Sequence, residues 1–173
     1  SQDQMVELQN LIERIKRPVT TFTYDGDTPQ DARQAIRIKG DIVITNPDML
    51  HTGILPHHTK WVSFFENLKF VVIDELHTYR GVFGSHMTNV LRRLDRICRF
   101  YDSKPQFICC SATIANPKEL AEKLLEREVD LIDQSGAPSS EKIFVFYNPP
   151  VVNKELGIRR SHVHAARQLA APF

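Results

Sequence analysis

The sequence predicts an α/β fold, with a mostly parallel sheet and helices on both faces. Short runs of apolar, β-branched and aromatic residues recur at Val19–Tyr24, Asp41–Ile44, Lys69–Ile73 and Gln106–Cys110. Between them, apolar residues return three and four positions apart, the spacing of a helix with one buried face. The connections also carry helix-start pairs, Thr28-Pro29, Asn46-Pro47 and Asn116-Pro117.

Met5, Leu8, Leu11, Ile12 and Ile15 mark a first helix, ended by Pro18. Val19–Tyr24 follows as a strand, and Thr28-Pro29 starts a helix running to about Ile38. Asp41–Ile44 is a short buried strand. Asn46-Pro47 caps a helical turn through Leu50, and a loop rich in His and Pro comes next. Lys60–Leu68 reads as a helix and Lys69–Ile73 as a strand. The clearest helix presents Met87, Val90, Leu91, Leu94, Ile97, Cys98 and Tyr101 on one face. Gln106–Cys110 is a strand, and a capped helix runs from Asn116-Pro117 to Glu126. Val129–Ile132 and Ile143–Tyr147 are the last strand candidates, before Asn148-Pro149-Pro150 ends the compact unit. The remainder reads as a linker and part of a helix, cut off at Phe173.

At 173 residues, with 42% hydrophobic and 25% charged residues, the chain can bury the core of one ordinary domain. Lys plus Arg (22) nearly cancels Asp plus Glu (21), so no global basic charge advertises nucleic acid, although a local groove can bind phosphates on a neutral protein. Three cysteines point to a reducing compartment rather than a disulfide framework. Cys109 and Cys110 alternate across a strand and cannot hold one metal together. No apolar stretch reaches membrane-spanning length and no signal peptide is visible, so a cytoplasmic protein without a membrane partner is expected.

The chemistry concentrates at Asp74-Glu75-Leu76-His77, directly after the apolar run Phe70–Ile73. Adjacent carboxylates at the carboxyl end of a buried strand stand where open α/β sheets bind ligands. One strand and one helix later, Ser111-Ala112-Thr113 follows a second apolar run. Thr45-Asn46-Pro47-Asp48 opens a short helix whose free N–H groups suit a phosphate. Gly26, in Thr23-Tyr24-Asp25-Gly26-Asp27-Thr28, allows close backbone approach. Arg33, Arg37, Arg80, Arg92, Arg93 and Arg96 add positive charge, most of it on solvated helix faces. His51, His57 and His58 crowd one loop without cysteine or carboxylate partners at ligand spacing, which favours a surface loop over a metal site.

In this order the motifs resemble the first RecA-like motor domain of superfamily 2 DExH/DEAD-box helicases. Ser1-Gln2-Asp3-Gln4 looks like the tail of motif Ia, Thr45–Leu50 like motif Ib, Asp74–His77 like motif II and Ser111–Thr113 like motif III. The run Tyr79–His86 is similar to bacterial DNA-repair helicases of the mitomycin-repair type. The resemblance implies ATP and Mg²⁺ as cofactors. Asp74 would hold the magnesium through water, Glu75 would orient and deprotonate the attacking water, and His77 would sense the nucleotide state. Ser111 and Thr113 would couple that site to the nucleic-acid path. Tyr24, Gly26, Thr28, Thr45, Asn46 and Asp48 would grip the backbone of a nucleic acid, DNA by the subgroup resemblance, without reading bases.

The resemblance makes 1–147 a partial motor domain and 148–173 a linker toward a second RecA-like domain of the parent protein. No G-x-x-x-x-G-K-[ST] occurs in the 173 residues, so the P-loop strand and its phosphate cradle are missing from this stretch. The expectations that follow are a fragment inactive by itself and an isolated protein made sticky by unpaired sheet edges. The rival reading is a non-hydrolysing nucleic-acid-binding module on the same fold. A metal nuclease built on Asp74 and Glu75 lacks further acidic ligands at convincing spacing.

Overall fold

The computed structural model describes residues 2–15, 18–138, 140–144 and 146–170. The expectations resting on Ser1, Val145 and Phe173 fall outside these residues. The chain packs as two compact units, Ser1–Ile132 and Asp133–Phe173.

The first unit begins with α1 (Gln2–Ile15) and strand β1 (Thr21–Tyr24), followed by α2 (Gln30–Lys39) and β2 (Ile42–Thr45). After the short α3 (Pro47–Met49) and α4 (Val62–Glu66) come β3 (Phe70–Ile73), the long α5 (Gly81–Phe100), β4 (Gln106–Cys109) and α6 (Pro117–Leu125). β1 pairs with β2 and β3 with β4, both in parallel, so α2 and α5 serve as the crossovers that parallel neighbours require. The expected parallel α/β architecture is therefore present as two short strand pairs.

The periodicity of α5 reports its burial faithfully, with Met87, Val90, Leu91, Leu94, Ile97 and Cys98 all buried. They join Ile36, Trp61, Phe65, Ile73, Leu76 and Leu124 in one core. On the β3–β4 pair, Ile73 is buried, while Phe70 (59% exposed), Val72 (62%) and Ile108 (41%) share an open face.

Several local expectations change. The loop after Leu50 is helical, with a wide turn over Leu50–Ile54 and a tight one over Leu55–Lys60. Burial explains it, because Leu55 and Trp61 are 0% and 1% exposed and anchor both ends of the tight turn. The helix expected from Lys60 shortens to α4, since Trp61 adopts φ −119°, ψ 20° outside it. Val129–Ile132 forms no strand, nor do the described residues of Ile143–Tyr147. β-Propensity needs a ladder partner, and among the described residues neither segment has one. Val129 packs on the core instead, while Ile132, Phe144 and Phe146 are exposed.

The second unit holds an antiparallel hairpin, β5 (Val151–Asn153) with β6 (Ile158–Arg159), and helix α7 (His162–Ala170). The hairpin replaces part of the expected linker. Its turn uses Gly157 at φ +65° and an Asn153 Oδ1 that accepts the Leu156 N–H at 3.0 Å.

Candidate functional site

Asp74 and Glu75 leave the carboxyl end of β3 at the surface, in a turn fixed from below by Leu76, which is 2% exposed. The ladder continues past the strands. Cys110 N–H donates to Ile73 O and Leu76 N–H to Cys110 O, each at 2.9 Å, so the acidic turn is hydrogen-bonded to the end of β4. Glu75 sits at φ 52°, ψ 40°, a left-handed conformation that a residue bearing Cβ adopts at a cost of roughly 1–2 kcal/mol. It is held there by its own N–H donating to Asp74 Oδ1 (2.9 Å), and by its carbonyl accepting Thr78 N–H (2.9 Å) and Thr78 Oγ1 (2.8 Å). Strain retained at an acidic turn is the kind found at working sites.

His77 extends the constellation. Its Nδ1 lies 3.3 Å from the Glu75 carboxylate and 3.3 Å from the Ala112 N–H, inside Ser111–Thr113. The structure thus brings Glu75, His77 and the Ser-Ala-Thr segment together. Ser111 Oγ donates to Ala112 O, and Thr113 is exposed beside it. Tyr79 is a member that sequence reasoning missed. Burial, and after it the Asp74 charge, raises its phenol pKa. The signal available was its position five residues after Asp74, one short turn away. Tyr79 stacks on Phe83 (5.4 Å between centroids) at the start of α5.

An exposed aspartate at a strand end, with a second carboxylate adjacent, offers hard oxygen donors of the kind magnesium takes through its water shell. The residues fit Asp74 as that outer ligand. Among the described residues, no group of three or more His, Cys, Asp or Glu is arranged to enclose a metal directly.

The residues expected to grip nucleic acid lie at the carboxyl ends of β1 and β2. Thr45 Oγ1 donates to Tyr24 O at 2.7 Å, locking the two strand ends together. The Tyr24 ring is 3% exposed and meets Trp61 edge-on at 4.9 Å, so this side chain belongs to the core. Asn46 caps α3, its Oδ1 accepting Met49 N–H at 2.8 Å, and Asp48 is exposed in the first turn. Gly26 is exposed in the turn after β1, with open space where a Cβ would stand. Thr28, the expected helix cap, instead closes that turn: its Oγ1 accepts Asp25 N–H at 2.9 Å and lies 3.1 Å from Asp25 Oδ1.

Comparison with known proteins gives the family. The family model described as DEAD/DEAH box helicase matches residues 1–120. An uncharacterized ATP-dependent helicase of Bacillus subtilis, YprA, is 64% identical over all of this chain, which covers 23% of that protein. The ATP-dependent helicase HRQ1 of Saccharomyces cerevisiae is 39% identical over 98% of the chain and 16% of its own length. A crystal structure of the DUF1998 helicase MrfA bound to DNA superposes with TM-score 0.95 at 64% identity, over 99% of this chain and 23% of that one. The chain thus spans less than a quarter of each of these relatives. The short parallel sheets are those of a RecA-like helicase domain, and the chain belongs to the DEAD/DEAH box helicase family.

Proposed function

We propose that this chain is the part of a first motor domain that activates water and contacts nucleic acid, within an ATP-dependent DNA helicase that translocates along and unwinds its substrate. The observation that carries the reading is the strained Asp74-Glu75 turn, joined by His77 to the Ser111–Thr113 segment.

Mg²⁺ bound with ATP would supply charge neutralisation at the transferring phosphoryl group, and Asp74 would be the residue that holds it. Glu75, whose exposed carboxylate rests 3.3 Å from His77 Nδ1, orients the attacking water and accepts its proton. His77 and the Ala112 N–H pass the state of this turn to Ser111 and Thr113. The ends of β1 and β2, with Gly26, Thr28, Thr45, Asn46 and Asp48, contact the phosphate backbone of DNA. The phosphate cradle and the second RecA-like domain belong to the rest of the parent protein, so the 173 residues alone turn over ATP negligibly. Its setting is the cytoplasm, and its DNA relatives favour a role on DNA.

The test replaces both Asp74 and Glu75 with alanine in the full-length protein. Turnover is abolished while single-stranded DNA affinity changes less than about threefold. A large affinity loss, in a wild-type protein with no ATPase to lose, would support the binding module instead.

A further inference from the structure

Arg33 lies on α2, away from the acidic turn, and makes three hydrogen bonds to carbonyls of the turn after β1. Its Nε donates to Thr28 O at 3.0 Å, and its Nη2 lies 3.3 Å from Asp25 O and 3.4 Å from Gly26 O. The guanidinium carbon stands 5.4 Å from the centre of the Tyr24 ring. That ring is itself fixed in the core against Trp61. Arg33 is half-buried and forms no ion pair with any described carboxylate, so its fork is committed to three backbone carbonyls.

Peptide geometry turns this into a statement about the opposite side of the turn. A trans peptide points its C=O and N–H in opposite directions. Holding the Asp25 carbonyl inward on Arg33 therefore aims the Gly26 N–H outward. The neighbouring donors are already used: Asp25 N–H on Thr28 Oγ1, Asp27 N–H on Asp25 Oδ1 at 3.1 Å, and Thr28 N–H on Asp25 O at 3.3 Å. Among the described residues the Gly26 N–H has no acceptor, and no side chain at position 26 shields it. An outward N–H on an exposed, side-chain-free turn is a donor shaped for a phosphate oxygen that comes close to the backbone.

We propose that Arg33 is a positioning residue for nucleic-acid binding: it holds the carbonyls of Asp25, Gly26 and Thr28 so that the Gly26 N–H meets a backbone phosphate. The proposal rests on the reading of this edge as a nucleic-acid contact. It assigns Arg33 no phosphate of its own. Lysine, a point charge on a flexible stem, cannot span three carbonyls in the way a planar fork does.

The experiment uses the full-length protein and a single-stranded oligonucleotide, with binding followed by anisotropy at several salt concentrations and with DNA-stimulated ATP turnover. Arg33→Gln and Arg33→Lys each raise the DNA concentration for half-maximal stimulation about tenfold, while kcat at saturating DNA changes less than twofold. The salt dependence of binding keeps the wild-type slope, because no cation–phosphate contact has gone. Full recovery in Arg33→Lys, or a slope reduced by about 0.7 in Arg33→Gln, the value of one released phosphate contact on a single strand, overturns the proposal by making Arg33 a direct charge contact. Variants that bind like wild type also overturn it and leave the reading of the edge intact. A wild-type protein that does not bind the oligonucleotide at low salt overturns that reading, and the Arg33 proposal with it.

Discussion

The Ala112 N–H donates to His77 Nδ1 across 3.3 Å, and this is the side-chain link between the acidic turn and the segment after β4. The same nitrogen is 3.3 Å from Glu75 Oε2. One ring nitrogen cannot serve both at once, since it accepts from an N–H only when it carries no proton and donates to a carboxylate only when it carries one. Pairing of this nitrogen with Glu75 therefore excludes its bond to Ala112, and the reverse.

This relationship predicts a loss of coupling rather than of binding in the His77 variants of the full-length protein. His77→Ala lowers the stimulation of ATP turnover by DNA about tenfold, within the usual range for one coupling contact. His77→Asn, whose Oδ1 can accept the Ala112 N–H, keeps most of it. Steady-state turnover with and without DNA makes the measurement, and equal stimulation in His77→Ala and wild type would remove His77 from the path.

Two glycines separate steric from conformational roles. A Cβ on Gly84 would stand 2.5 Å from Tyr79 O and 2.8 Å from Tyr79 C, backbone atoms that cannot step aside. Alanine there gains about 1 kcal/mol of helix propensity but costs about 1–3 kcal/mol in overpacking, and it pushes on the Tyr79 backbone that follows the acidic turn. Gly84→Ala should lower the melting temperature and reduce ATP turnover. On Gly53 the obstacle is only the Met49 side chain, which can move. Gly53→Ala should melt at or slightly above the wild-type temperature. The reverse order would refute this packing argument.

The acid limb of stability has identifiable contributors. Thr20 N–H and Oγ1, at 2.8 and 2.7 Å, hold the Asp41 carboxyl below the ordinary range. Hydrogen bonds from Arg92 and Lys123 do the same for Glu126 and Glu119. A carboxyl whose pKa is lowered on folding adds stability that is present above its unfolded value, about 4, and is lost as pH falls through the folded value. Thermal midpoints should fall below about pH 4. Thr20→Val should be the less stable protein at pH 7, with the gap narrowing at pH 3. A gap that stays constant across this range would assign the Thr20 effect to packing instead of charge.

Where apolar spacing was regular and long, the sequence disclosed the structure, as in α5, and where an apolar run ended in charge it disclosed the acidic turn. Asn46 was legible because its cap needs only local bonds. The helical turns over Leu50–Lys60 were not, because their cause is the burial of Leu55 and Trp61 by distant elements. The hairpin of β5 and β6 was hidden by strands of three and two residues next to a Pro-Pro pair. In the site, Asp74, Glu75 and the Ser111–Thr113 segment were readable as motifs. The tie of His77 to a backbone N–H and the grip of Arg33 on three carbonyls are geometric facts with no residue pattern to announce them.

The most direct measurement of the central claim is ATP turnover by the full-length protein carrying Glu75→Gln, with saturating single-stranded DNA and Mg²⁺. Glutamine keeps the size of the side chain and removes its ability to accept a proton from water. The account predicts a fall in kcat of at least about a hundredfold, the scale of general-base catalysis, with DNA and nucleotide binding retained. Turnover within a few-fold of wild type would contradict it and show that the strained carboxylate at the end of β3 is not the group that activates water.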